Sequence, residues 1–124
     1  MIYTIYGIDI YAVYGILGVL TMAWCVDYYE TKNGNIPAHE FIKSLPVKLE
    51  AKAYWEIGLL EQFGTNLTMP YSRFIRDGLY ELRIQQAGSK IRIFYFFFVG
   101  KKIILTNGFI KKTKKLRLMK SILL

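Results

Sequence analysis

The sequence predicts a single small α+β domain in which two helices pack on one face of a twisted antiparallel sheet. Its 124 residues suit one domain. Hydrophobic residues make up 53% of the chain, which excludes a disordered protein. Apolar residues first recur at helical spacing and then alternate in three short runs joined by tight links, the order expected of helices followed by a meander of strands.

The predicted domain opens with a strand and continues with the two helices. Residues 23–29 are rich in aromatics and valine, which favours a strand, and Asn33-Gly34 predicts a turn. Pro37 suits the first position of a helix that runs through Ser44. The second helix is predicted over residues 46–63, with Ser44 as its capping residue and Gly64 as its stop.

Three strands are predicted in the second half of the chain. They span residues 79–85, 90–99 and 102–107, and only residues 86–89 and 100–101 separate them. Links of this length join neighbouring antiparallel strands. Residues 65–72 before them are predicted to form a loop.

The charge is divided unequally between the two halves of the chain. Residues 1–70 carry four lysines and seven acidic residues, whereas residues 71–124 carry thirteen lysines and arginines and two acidic residues. The net charges are therefore −3 and +11, which sum to the +8 of the whole chain. A one-sided basic half attracts phosphate backbones or anionic lipid, and less strongly acidic small molecules.

The chain holds one cysteine and one histidine, and this excludes several classes of site. Cys25 has no second cysteine to pair with, so a disulfide framework and a cysteine-based zinc site are excluded, as suits a reducing cytoplasm. His39 alone excludes a two-histidine ribonuclease mechanism and a histidine-rich metal site. We expect Cys25 to pack in the core and His39 to lie on the surface near a helix start.

The first residues allow more than one interpretation. Residues 1–26 contain a single charged residue, Asp9, and are long enough to cross a membrane. No basic residue flanks the run to set its orientation, and it lacks the basic start of a secretory signal. Residues 1–21 are therefore a membrane segment, an extra packed element or an extension upstream of a natural start at Met22.

Two arginines are predicted to lie side by side on the sheet. Side chains alternate between faces along a strand, so Arg83 and Arg92 fall opposite the apolar face and are expected together on an open face. Such a pair binds phosphate in a bidentate way. The alternative is that Arg83 pairs with Glu81. Four lysines among residues 111–115 follow the last strand, where crowding lowers lysine pKa values and favours a general base.

The ordered set of these segments resembles a known toxin superfamily. Residues 77–83 (DGLYELR), 92–95 (RIFY) and 108–115 (GFIKKTKK) are similar to the RelE/HigB toxins, above all to their phage-derived HigB-like branch. Residues 23–29 with Pro37 resemble the opening of that branch, so the likeness covers about residues 22–115. It implies a RelE-like fold of two N-terminal helices on a twisted antiparallel sheet.

The resemblance also implies a function. It implies a metal-independent endoribonuclease without a cofactor, which cleaves mRNA on the ribosome in the cytoplasm and is neutralised by a helix-turn-helix antitoxin. The residues that match the family's sheet arginines and basic segment are Arg83, Arg92, Lys111, Lys112 and Lys114. Among them, Arg92 and Lys112 are assigned to the scissile phosphate, and a lysine of the cluster to the ribose 2′-OH.

Further RNA contacts are expected around these residues. Tyr95 or Tyr80 is a candidate for stacking on a base, although packing in the core is the alternative for both. The residues that we expect to bind RNA are Arg73, Arg76, Lys90, Lys115 and Tyr95.

The last residues depart from the resemblance. Residues 116–124 replace the charged helix that such toxins carry after the lysines, which suggests a truncated or frameshifted end. Two alternatives to an active toxin therefore stay open. One is an inactive relic that binds RNA or antitoxin only, and the other is a small basic protein anchored in the membrane through residues 1–21.

Overall fold

The computed structural model describes residues 4–5, 8–9 and 23–111, the first two pairs only as the short antiparallel strands β1 and β2. The remaining elements are two helices, one 3-10 turn and five strands. In chain order, the bounds of all described elements are β1 Thr4–Ile5, β2 Ile8–Asp9, β3 Cys25–Tyr28, α1 Pro37–Lys43, α2 Val47–Phe63, the 3-10 turn Gly64–Asn66, β4 Ser72–Arg76, β5 Leu79–Gln86, β6 Ser89–Phe98 and β7 Lys102–Lys111.

Five strands form one mixed sheet in the order β3-β7-β6-β5-β4. The pairs from β4 to β7 are antiparallel, as their short links require. However, β3 runs parallel to β7, so the prediction of a wholly antiparallel sheet is wrong. The helices also follow β3 and do not begin the fold. Link length predicts only how consecutive strands pair, whereas β3 pairs with a strand 77 residues further along the chain, in the register Cys25↔Lys102.

Two strand boundaries differ from the prediction. Residues 72–76 form the edge strand β4, where a loop through residue 72 was expected. Strand β7 runs to Lys111 and not to Asn107, and thus includes Gly108. Glycine suits this position because a Cβ there would lie 2.5 Å from Cδ2 of Phe41 in α1.

The two helices occupy the predicted ranges, and Pro37 begins α1 as expected. Ser44 does not cap α2, since Pro46 precedes that helix without a side-chain cap; the Ser44 hydroxyl instead donates to the Phe41 carbonyl at 2.6 Å. Gly64 ends α2 with φ of +52°, as predicted. A Cβ at Gly64 would overlap the indole of Trp24, so glycine is required for the approach of β3 to the helix end.

The core lies between the helices and one face of the sheet. Both helices contribute fully buried residues, and every second residue of β5 and β6 points toward them. In β7, Ile103 and Leu105 do so, and a register shift then interrupts the alternation. Cys25 and His39 are both half-buried, and His39 packs edge-on against Tyr28. The residues with no exposed surface are Ala38, Ile42, Ala53, Leu60, Leu82, Ile84, Ile91, Ile93, Tyr95, Ile103 and Leu105.

Several sequence predictions fall outside the described residues. These are the nature of the run 1–21, apart from its two short strands, and of the tail 116–124. The lysines Lys112, Lys114 and Lys115 also lie outside them. Among the residues that the structure describes, no helix is both long and apolar enough to cross a membrane.

Candidate functional site

The second face of the sheet brings the charged residues of three strands together. Arg83 of β5 lies directly opposite Arg92 of β6, and Arg92 lies opposite Phe109 of β7. On the other side, Arg73 of β4 lies opposite Glu81 of β5. Since these positions alternate with the buried apolar ones, their side chains share the face that the helices do not cover. The predicted neighbourhood of Arg83 and Arg92 is confirmed.

Glu81 lies between the two arginines. Its Oε1 is 3.8 Å from Nε of Arg92 and 3.9 Å from Nε of Arg83. These are ion pairs but too long for hydrogen bonds. The alternative, that Arg83 pairs with Glu81, is therefore also observed. The expectation that both arginines are openly exposed is wrong for Arg92, which is 2% exposed, because the face is lined by neighbouring side chains and not by solvent alone.

The guanidinium groups are only partly satisfied. Nη1 of Arg92 donates to the carbonyl of Ile91 at 3.0 Å, and Nη1 of Arg83 contacts the sulfur of Met69 at 3.0 Å. Within the described part of the chain, Nη2 of Arg92 and Nε of Arg83 are buried without a hydrogen-bond acceptor. A buried donor without a partner costs about 1 to 3 kcal/mol, which an added anion would relieve.

The electrostatics of the pair Arg83 and Arg92 also favour the binding of an anion. Burial lowers the pKa of the Arg92 guanidinium, and the positive charge of Arg83 lowers it further, while Glu81 and Glu56 oppose both effects. The two arginines therefore repel each other, and among the described residues only Glu81 lies within ion-pair distance of both. A phosphate oxygen between them would supply the missing charge and the missing acceptor.

A cavity of about 330 Å³ opens beside Arg92. That volume lies at the small end of ligand sites, which begin at about 300 Å³. Its walls combine three cations, one carboxylate and apolar side chains, a composition that suits an anionic group attached to a flat apolar one. The lining residues are Arg73, Phe74, Ile75, Glu81, Arg92, Phe109 and Lys111.

The structure places some of the predicted site residues at the cavity and others away from it. Arg73 and Lys111 line the cavity with Arg92, and Lys90 lies opposite Lys111 across the ladder. Arg76 is exposed at the far end of β4 and does not line the cavity.

Tyr95 was a candidate for base stacking, and the structure contradicts this. Its side chain is fully buried on the helix-covered face, where its hydroxyl is hydrogen-bonded to that of Ser72. Tyr80, the second candidate, is half-buried and stacked on Tyr95 at 5.5 Å. Core packing, the alternative for both tyrosines, is what the fold uses.

Two residues of the cavity were missed or undervalued by sequence reasoning. Glu81 was considered only as a partner of Arg83, and Phe109 was read as part of a connection after the last strand. Extending β7 by strict alternation would have put Phe109 on the buried face of Ile103 and Leu105. A register shift beside Phe94 and Tyr95 moves it to the face of Arg92, and the sequence gives no signal for that shift.

A comparison with protein families identifies the family of the part of the chain that forms this cavity. Residues 40–120 match the model of the family described as Phage derived protein Gp49-like (DUF891). The chain belongs to this family. The Gp49-like family is related to the RelE toxins of toxin–antitoxin systems. No curated protein matches the chain.

In this Gp49-like protein the matched range includes β4 to β7 and thus every residue that lines the cavity. It also includes Glu56 of α2, which is 2% exposed. Burial raises the pKa of Glu56 to about 7, although Lys52, with its Nζ 3.9 Å from Oε1, and Arg92 both oppose that shift. Glu56 therefore sits on the helix side of the sheet as a carboxyl group that titrates near neutrality.

The described residues offer no preformed metal site. In residues 4–5, 8–9 and 23–111, no three His, Cys, Asp or Glu side chains lie close enough together to hold a metal ion. The chemistry that this face can perform with its own groups is anion binding by guanidinium and ammonium groups, and proton transfer by Glu81 or Lys111.

Proposed function

We propose that this Gp49-like protein is the toxin of a type II toxin–antitoxin system and acts as a metal-independent endoribonuclease on mRNA. The observation that carries the proposal is the cavity beside Arg92, where Arg73, Arg92 and Lys111 converge. Beside it, Nη2 of Arg92 and Nε of the neighbouring Arg83 are buried without an acceptor within residues 23–111. The relation of the family to toxins gives this anion site a biological setting.

The reaction that such groups support is internal transesterification of RNA. The ribose 2′-oxygen attacks the adjacent phosphorus, the bond from phosphorus to the 5′-oxygen breaks, and the products carry a 2′,3′-cyclic phosphate and a free 5′-hydroxyl. Arg92, with Arg83 behind it, and Lys112 would bind the phosphate and stabilise the charge that develops on it. A neutral lysine of the set Lys111, Lys112 and Lys114 would take the proton from the 2′-OH, and a protonated lysine of the same set would give a proton to the leaving 5′-oxygen.

The remaining cations would position the RNA strand. Arg73 lies in the cavity wall, and Lys90 stands beside Lys111. Together with Arg76 and Lys115 they would neutralise neighbouring phosphates, since such contacts supply most of the sequence-independent affinity of a nucleic-acid site. The full +11 charge of residues 71–124 supports this assignment.

The partners follow from the same proposal. The substrate is mRNA, cleaved on the ribosome, and the neutralising partner is an antitoxin of the helix-turn-helix class. The first test is induction of the chain with and without the gene beside it, with mRNA ends mapped by sequencing. We expect growth arrest and new 5′-hydroxyl ends, both relieved by the neighbouring gene. Growth without arrest, and without new ends, would contradict the proposal.

The second test assigns the site. Purified protein is incubated with mRNA and ribosomes in the presence of a chelator, and the double variant Arg92→Ala, Lys112→Ala is compared with wild type. We expect cleavage to fall by at least 100-fold, since loss of one such electrostatic contact costs about 10² to 10³ in rate. The matched control is Lys43→Ala, Lys48→Ala, which removes two charges from the exposed sides of the helices and should cleave normally.

Three results would overturn parts of the proposal. Undiminished cleavage by the Arg92 and Lys112 double variant would remove the site. Cleavage that the chelator abolishes would remove the metal-independent mechanism. Salt-dependent RNA binding by wild-type protein without any cleavage would identify a binding protein in place of an enzyme.

A further inference from the structure

Phe109 presents an aromatic ring at the mouth of the cationic cavity. It lies opposite Arg92 in the ladder between β6 and β7, and its side chain is 40% exposed. The ring of Phe94 supports it from the side at a centroid distance of 5.5 Å and an interplanar angle of 35°. Phe109 is therefore a supported ring with a free surface, next to a group that binds phosphate.

The other aromatic residues near the sheet are less suited to contact a ligand there. Tyr95 is fully buried. Phe74 also lines the cavity, but it lies opposite Tyr80 in the ladder and contacts that ring edge-on at 5.3 Å, whereas Phe109 lies opposite Arg92 itself. Phe98 is 55% exposed but lies six residues beyond Arg92 along β6. At a rise of about 3.3 Å per residue, that separation is about 20 Å.

We propose that Phe109 is the stacking platform for one unpaired base of the RNA whose phosphate is bound beside Arg92. The inference rests on the proposed function and adds to it how the site selects its substrate: single-stranded RNA with a base turned out of its stack. A flat base covers an aromatic ring without regard to its identity, and such stacking contributes about 1 to 3 kcal/mol per base. Arg73 and Lys111 lie in the same cavity wall and would contact the backbone on either side of that nucleotide.

The composition of the cavity supports this occupant. A nucleotide is an anion joined to a flat apolar ring, and the cavity joins Arg73, Arg92 and Lys111 to Phe109 within about 330 Å³. Double-stranded RNA keeps its bases stacked on each other, so it could use the cations but not Phe109. Discrimination in favour of single strands is thus the functional consequence.

The test measures binding separately from cleavage. The probe is a set of eight-residue 2′-O-methyl oligoribonucleotides, which lack the attacking hydroxyl, each with one abasic residue at a different position. Affinities are measured for wild type, Phe109→Leu and Phe109→Trp, with Phe98→Leu as the matched control. Thermal unfolding of each variant verifies that it is folded.

For wild type we expect one abasic position to weaken binding about 10-fold relative to the intact oligonucleotide. Phe109→Leu should bind the intact oligonucleotide about 10-fold more weakly and lose all sensitivity to that position, whereas Phe109→Trp should restore both. Phe98→Leu should behave as wild type. A structural role for Phe109 would instead weaken intact and abasic oligonucleotides equally.

Two results would overturn the inference, and they are distinguishable. If wild type binds the oligonucleotides but Phe109→Leu keeps the same abasic profile, the platform is wrong while the RNA site stands. If wild type binds none of them and does not cleave mRNA on ribosomes, the proposed function itself fails, and the platform with it.

Discussion

The two faces of the five-stranded sheet are formed by the same strands, but one face is apolar and the other is charged. On the face under the helices, Leu82, Ile84, Ile91 and Ile93 have no exposed surface and belong to the hydrophobic core. On the other face the residues between them are charged, and Arg92 is as buried as its apolar neighbours. The first face gains free energy by excluding water, whereas the second retains buried charge at a cost.

That cost is visible in the contacts of the two arginines. The ion pairs of Glu81 with the two arginines are long, and in the described residues Nη2 of Arg92 and Nε of Arg83 lack acceptors. Replacing such a network with apolar residues is often neutral or stabilising, so stability alone does not explain its presence. A ligand that supplies acceptors to those nitrogens would explain it, as the proposed function requires.

The largest expected effect comes from breaking the helix-covered face. Ile93→Ala removes a fully buried side chain from the central strand β6 and should destabilise the protein by about 2 to 5 kcal/mol. Denaturant unfolding measures the change. Ile110→Ala is the control, because Ile110 is exposed on β7 and should cost much less. Equal losses for the two variants would contradict the placement of Ile93 in the core.

The next effect tests how closely that face approaches the helices. Gly108→Ala places a Cβ 2.5 Å from the Phe41 ring and 3.1 Å from the Arg92 carbonyl, so we expect a loss of about 1 to 3 kcal/mol by overpacking. Adding Phe41→Leu should recover part of that loss, a coupling that unfolding of the double variant measures. Additive losses would show that Phe41 is not the residue that requires glycine.

The contrast between the faces also shows what the sequence could and could not predict. Both helices followed from apolar spacing and from Pro37 and Gly64, which act locally. The parallel pairing of β3 with β7 did not, because it joins residues far apart in the chain. The edge strand β4 was not predicted, because its residues are mostly exposed and a bulge interrupts its register near Phe74.

The candidate site, like the fold, was predictable from the sequence only in part. Strict alternation placed Arg83 and Arg92 on one face, and the structure confirms it. Alternation assigns a face but not a depth, so the burial of Arg92 and the role of Glu81 needed tertiary structure. The same alternation places Tyr95 with Ile91 and Ile93, opposite Arg92, so its packing in the core, the alternative to base stacking, was predictable.

A smaller effect concerns the one carboxyl group of α2 that faces the core. The pKa of Glu56 is raised from 4.5 to about 7, so between these values the folded protein holds a proton that the unfolded chain releases. Stability should therefore fall as the pH rises from about 4.5 to 7 and then level off. Glu56→Gln should remove this contribution and, after solvent screening, stabilise the protein at pH 8 by about 1 kcal/mol.

Thermal unfolding of wild type and Glu56→Gln at pH 5 and pH 8 measures that contribution. Glu61 also has a pKa raised to about 7 by burial and contributes with the same sign, so the difference between the two proteins isolates Glu56. A difference that is the same at both pH values would show that Glu56 is ionised throughout and balanced by Lys52 and Arg92.

The smallest expected change in stability belongs to the open face, and it sharpens the comparison most. Arg73 is exposed on β4 and lines the cavity, so Arg73→Gln should alter the free energy of unfolding by no more than about 0.5 kcal/mol. Its effect should appear in RNA binding. If Arg73 contacts a phosphate of a single strand, the slope of log affinity against log salt should decrease in magnitude by about 0.7.

Arg76→Gln removes the same charge from the same strand but outside the cavity, and should reduce that slope less. A titration of both variants from 50 to 200 mM salt separates the two possibilities, since a diffuse basic surface would respond equally to either loss. Unequal slopes together with unchanged unfolding would mean that this face is organised around one cavity. The positive charge of the second half of the chain would then act at one defined site, which the apolar face of the same sheet holds in place.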